Sequence, residues 1–136
     1  MKRISECLAF KNVLAPQSVA ASKDVTSAYV DASGTTEVAF LISTGALGAG
    51  KSLKVSLMAA EATTGAGAAE VKAAQFTDAV GKDPQVAVIS YKVRPENGRF
   101  LAVKIQHDAA AEVICGVAAV SDGLYLPEAN GWTLAI

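Results

Sequence analysis

The chain has 136 residues, which suits one domain with a modest core; apolar residues make up 51% and charged residues 18%, and the net charge is −1. Lysine and arginine are scattered, which argues against the clustered basic surface that nucleic-acid binding needs. No run approaches the roughly 18 apolar residues of a membrane-spanning helix.

Alanine supplies roughly a fifth of the chain, well above ordinary usage. Either apolar surface is buried between subunits, or alanine replaces serine and threonine on the surface.

Residues 1–24 read as an extended arm. Glu6 and Lys11 interrupt the short apolar piece after Lys2 and Arg3, which argues against a signal peptide. Leu8, Phe10, Val13 and Leu14 fit neither the helical nor the strand period, and Pro16 precedes the polar stretch QSVAASKD. Cys7 and Cys115 are the only cysteines, too few for a disulfide framework or metal site, and both are expected to be reduced.

Strand patterns follow, separated by turn signals. TSAYVDA ends at Ser33-Gly34, and TEVAFLIS is rich in β-branched and aromatic residues. In SLKVSLM, Leu53, Val55 and Leu57 face one way, and Ser52, Lys54 and Ser56 are expected on a wet face. GAAEVKAAQFTDAV is ambiguous between helix and strand over 68–80, with Gly65, Gly67 and Thr77 favouring an extended path. QVAVISYKV changes apolar parity between Val88 and Ile89, which predicts a bulge or burial on both faces. Asn97-Gly98 signals a hairpin turn before RFLAVKI, and QHDAAAE separates that strand from EVICGVAAV. The pattern predicts an all-β, mainly antiparallel single domain, a sandwich or barrel of six to eight short strands over 25–127. Residues 128–136 read as an extended tail with one large expected anchor, Trp132.

Two motifs invite chemistry. Gly45–Ser52, GALGAGKS, matches the phosphate-loop pattern G-x-x-x-x-G-K-[ST]. A phosphate loop runs into a helix whose N-terminus faces the anion, whereas SLKVSLM has period two. The glycines then serve a hairpin between two strands, Lys51 is solvated, and no nucleotide is expected. Asp122 is the nearest match to a metal-binding partner aspartate, one residue late and beside Gly123 in a turn. His107, the only histidine, stands beside Asp108 and near Glu112. A metal site there is conceivable, but a polar residue at a hairpin end is the favoured reading. Cys115 sits in an apolar run and suits a small core residue rather than a nucleophile. No enzyme activity, cofactor or metal is expected.

The run from Val25 to Gly65 resembles a family of small virion proteins of tailed bacteriophages and prophages, commonly encoded close to the major capsid protein. The resemblance is carried by Asp31 and Gly34, by Gly45-Ala46 closing an apolar strand, and by LKVSLMAAE after a glycine turn. NGRFLAVKI and GVAAVSDGLYLP extend it to Pro127. It implies a structural virion protein, foremost a capsid decoration (cement) protein on the outer surface of the head, made in the bacterial host cytoplasm. It further implies the major capsid protein as partner and a homo-oligomer, a trimer being common. Tail or head–tail connector subunits, and a non-viral β-sandwich binding module, are the alternatives. The candidate interface residues are Leu8 and Phe10 on the arm and Trp132 on the tail, apolar anchors of the kind that dominate interfaces.

Overall fold

The computed structural model describes residues 4–20, 24–108, 112–123 and 134. Among these residues a single helical turn, Ile4–Cys7, precedes nine strands. They are β1 (Ala9–Val19), β2 (Val25–Thr26), β3 (Val30–Asp31), β4 (Thr35–Thr44), β5 (Lys51–Ala60), β6 (Ala69–Asp78), β7 (Gln85–Lys92), β8 (Phe100–His107) and β9 (Val113–Gly123). One sheet has the order β1-β9-β4-β7; the other runs β2-β8-β5-β6, with β3 also on β8. All pairs are antiparallel.

The pairs nest. β5 joins β6, β4 joins β7, β2 and β3 join β8, and β1 joins β9. A long antiparallel ribbon with the β5–β6 hairpin at its tip has thus been rolled into two facing sheets, the connectivity of a jelly roll. Inward side chains follow strand alternation: Val38, Phe40 and Ile42 on β4, Leu53, Val55 and Leu57 on β5, Leu101, Val103 and Ile105 on β8, and Cys115 and Val117 on β9 are all buried. Burying a side chain the size of Phe40 stabilises the fold by about 1.5–3 kcal/mol.

β2 and β3 are one strand with an interruption. Ser27 Oγ accepts the Val103 N–H at 3.1 Å, so a side chain serves where a backbone carbonyl would. The Ala28 N–H turns away to the carbonyl of Val13 at 2.8 Å and ties the two sheets together.

Several local expectations change in three dimensions. The segment read as an arm is extended, but Ala9–Val19 is an edge strand of the first sheet. Val13, Leu14 and Val19 are buried. Its register against β9 shifts between Asn12 and Leu14 and again between Leu14 and Gln17, beside Pro16, so period two is erased from the sequence. The ambiguous segment is the strand β6. The connections GALGAGKS, RPENGR and QHDAAAE are not hairpins, because the strands on either side of each lie in different sheets. At RPENGR a short 3₁₀ turn, Pro95–Asn97, makes the crossing.

The face of β5 expected to be wet is largely covered: Ser52 and Ser56 are 4% and 1% exposed. β5 is flanked on both sides, Ser52 Oγ pairs with Thr77 Oγ1 at 2.7 Å, and Ser56 lies level with Lys104 and Ala73. β7 has no bulge. Its register with β4 is unbroken from Glu37↔Lys92 to Thr44↔Gln85, and Val86 and Val88 face outward, uncovered.

Candidate functional site

The phosphate-loop motif is engaged by its own fold. The N–H groups of Gly45, Gly50 and Lys51 donate to the carbonyls of Ile114, Asp78 and Gly48 at 3.0, 2.8 and 3.0 Å. Lys51 opens a strand rather than a helix, and the Ser52 hydroxyl is spent on Thr77. Gly81 closes the loop from the other side: a Cβ on it would lie 2.1 Å from the backbone of Gly48 and Ala49. Asp122 stands at the far end of β4, where its Oδ1 accepts from Thr36 Oγ1 at 2.6 Å and from the Glu37 N–H at 2.8 Å. These donors, the Thr36 hydroxyl first, hold its carboxyl below the usual carboxylate range. The loop and Asp122 do not meet.

His107 is not at a hairpin end. It is 1% exposed and continues the inward row of Leu101, Val103 and Ile105, level with Leu53. Its Nε2 lies 3.9 Å from Asp108 Oδ1, and that oxygen accepts the Ser52 N–H at 2.9 Å. Among the described residues no group of three His, Cys, Asp or Glu side chains is placed to hold a metal. Cys115 is buried in the core, and burial pushes its thiol up to about 11, which leaves almost no thiolate at neutral pH.

The surface feature that stands out is the outer face of the β1-β9-β4-β7 sheet. Register places Phe10, Val120, Ala39 and Ser90 in one row and Asn12, Ala118, Leu41 and Val88 in the next. Gly116, Ser43 and Val86 follow, with Ile114 beyond. These rows carry no charge. Phe10, Ile114, Val88 and Val86 are 44, 53, 50 and 64% exposed. The outer face of an antiparallel sheet in water ordinarily alternates to polar residues, and this uncharged, largely apolar face departs from that pattern. Charge returns at its end, at Glu37, Lys92 and Asp122.

Of the candidate interface residues, Phe10 stands on this face opposite Val120, and Leu8 is half-buried just before β1. Trp132 lies outside the described residues. Sequence reading missed the face as a unit. Its signal was present in the apolar outward positions of QVAVISYKV and EVICGVAAV, which only the strand order brings together.

A second feature runs along the open side of the sandwich. The edges of β6 and β7 face each other across a groove of two recesses, each ≈ 520 Å³. Phe76 lines both recesses.

No family model matches the chain, and no curated protein matches it in sequence. Solved structures match in fold. XepA, an exported protein of PBSX, aligns over 100% of this chain and 45% of its own, at 11% identity and a TM-score of 0.55. The CBM22-1–GH10 portion of Clostridium thermocellum xylanase 10B, solved with xylohexaose, aligns over 93% of this chain and 28% of its own, at 14% identity and a TM-score of 0.54. Dimeric latent PorU of Porphyromonas gingivalis aligns over 86% and 12%, at 12% identity and a TM-score of 0.50. The chain spans less than half the length of each, and the likeness is one of fold.

Proposed function

We propose that the chain is a structural protein of a tailed-phage particle: a decoration protein that binds the major capsid protein on the outer surface of the head and stabilises it. The observation that carries this reading is the uncharged outer face of the β1-β9-β4-β7 sheet, a contact surface on a domain whose polar motifs are tied up internally. The resemblance of residues 25–127 to small virion proteins supports it, as does the jelly roll itself, an architecture used by viral capsid and lectin domains. Binding through such a face, repeated on a symmetric shell, suits a homo-oligomer, a trimer fitting a threefold site. Phe10, at the rim of the face, is the anchor on this surface, with Leu8 beside it and Trp132 as the anchor of the tail.

Quantitative mass spectrometry of purified particles tests this. A ratio to the major capsid protein near one to one, or within a few-fold, is expected. A chain tens of times rarer belongs to the tail or connector. Absence from particles overturns the virion reading and leaves the β-sandwich binding module, to be sought by glycan and pull-down screens.

A further inference from the structure

The four sheet edges are not alike. β1 carries Pro16 and two register shifts, and β2 and β3 are two residues each. Such edges resist pairing with another strand. β7 is eight residues in unbroken register. β6 is ten residues with one register shift, at Leu57/Met58 opposite Val71, and runs without a shift from Lys72 to Asp78. Neither has a further partner among the described residues. The groove lies between these two edges. Consecutive residues line it on both sides, Ala73 and Ala74 on β6 and Val88 to Lys92 on β7, so backbone edges form its walls. Its floor is core that the sandwich leaves half-covered: Val71, Phe76, Ile89 and Tyr91. One end is basic. Lys72, Lys92 and Arg94 line it, and none has an ion pair among the described residues, although Glu37 is level with Lys92 on β4. That end is also braced, since Tyr91 Oη accepts from Asn97 Nδ2 at 3.0 Å and from the Arg94 N–H at 3.3 Å.

We propose that this groove is a strand-docking site. Its occupant is an extended segment of a partner protein, apolar at alternate residues and carrying carboxylates at the end that meets Lys72, Lys92 and Arg94. Strand addition satisfies the unpaired N–H and C=O groups of an edge, and side-chain pockets on alternate residues give selectivity. The half-covered floor supplies the apolar contact, and the three cations set the direction of entry. If the partner is the capsid protein, the site deepens the decoration reading and rests on it. The groove itself does not depend on that identity.

The probe is an acetylated decapeptide of alternating valine and serine ending in two aspartates, with a control ending in two lysines. Titration is followed by calorimetry and by amide hydrogen exchange on the full chain. The aspartate peptide is expected to bind and to slow exchange along 86–91 and 71–77. The triple variant K72E/K92E/R94E is expected to bind it at least about tenfold more weakly and to gain affinity for the lysine peptide. If the triple variant fails to fold, Arg94→Glu, on an exposed turn, carries the same test. Equal binding of both peptides, slowed exchange elsewhere, or none at all overturns the proposal. So does slowing that grows with protein concentration alone, which would assign the groove to a second copy. Wild-type and variant chains are also added to particles. No peptide binding together with undiminished particle binding by the variant refutes the groove but leaves the decoration reading; peptide binding without any particle binding does the reverse.

Discussion

Gly81 and Gly48 meet backbone to backbone: a Cβ on Gly81 would stand 2.1 Å from the carbonyl carbon of Gly48. The contact locks the GALGAGKS loop under the β6–β7 connection, where Asp78 Oδ1 accepts the Gly81 N–H at 2.8 Å. Gly34 has the same φ of 69° as Gly81 but open space around it. The pair therefore separates backbone strain from close approach. Gly34→Ala is expected to cost about 1 kcal/mol, the left-handed penalty alone. Gly81→Ala is expected to cost roughly 1–3 kcal/mol more, because backbone must move. Chemical denaturation of both variants checks this, and equal costs would refute the close approach as the cause.

The same packing bears on nucleotides. With the Gly45, Gly50 and Lys51 N–H groups engaged by Ile114, Asp78 and Gly48, and a strand in place of the helix that would follow, the loop lacks the helix N-terminus that faces phosphate in such a motif. Equilibrium dialysis with ATP and GTP is expected to give background binding, unchanged in Lys51→Ala. Measurable affinity lost on that substitution would contradict the geometry.

Asp31 and Arg99 form a two-pronged ion pair: Nε to Oδ1 at 2.8 Å and Nη2 to Oδ2 at 2.6 Å. The guanidinium, ahead of the Ser33 N–H, holds the Asp31 carboxyl far below the usual carboxylate range. A carboxylate whose pKa is lower folded than unfolded stabilises the fold above its unfolded value of 3.8, and that contribution is lost as pH falls below it. Both side chains are substantially exposed, so the effect is small. Asp31→Asn is expected to lower the melting temperature slightly at pH 7 and by less at pH 2, where the contribution is partly lost. An equal deficit at both pH values would show that the carboxylate charge is not the source.

Cys7 is exposed, and Cys115 is buried with its thiol pushed up to about 11. Iodoacetamide at pH 8 is expected to add one group to the native chain and two in denaturant, read by intact mass. Two rapid additions to the native chain would mean that β9 opens readily.

Because β1 is an edge strand, removing residues 1–19 uncovers one side of β9 and strips Val13, Leu14 and Val19 from the core. The truncated chain is expected to lose cooperative unfolding, not merely assembly. By contrast Ile114→Lys, on the outer face, is expected to stay within about 0.5 kcal/mol of wild type while weakening particle binding. A stable truncation would return the arm to a separate element, and an Ile114→Lys chain that decorates normally would remove this part of the face from the contact.

Strand identity was written locally. Alternation in SLKVSLM, RFLAVKI and EVICGVAAV sets which side chains turn inward, because successive Cβ atoms on a strand point to opposite faces. The absence of a helix after GALGAGKS was legible for the same reason. Sheet order is decided by pairing between residues far apart in the chain, such as Phe10 with Val120 and Val38 with Tyr91. No local period records such partners. The three connections read as hairpins therefore became crossings between sheets, and Ser52, Ser56 and His107 became buried. β1, whose two register shifts break its period, could only be recognised by its partner β9. The outer face and the groove are likewise products of tertiary structure. Each is assembled from several strands, and the physical fact that defines it, which edges and faces remain uncovered, exists only once the ribbon has rolled up.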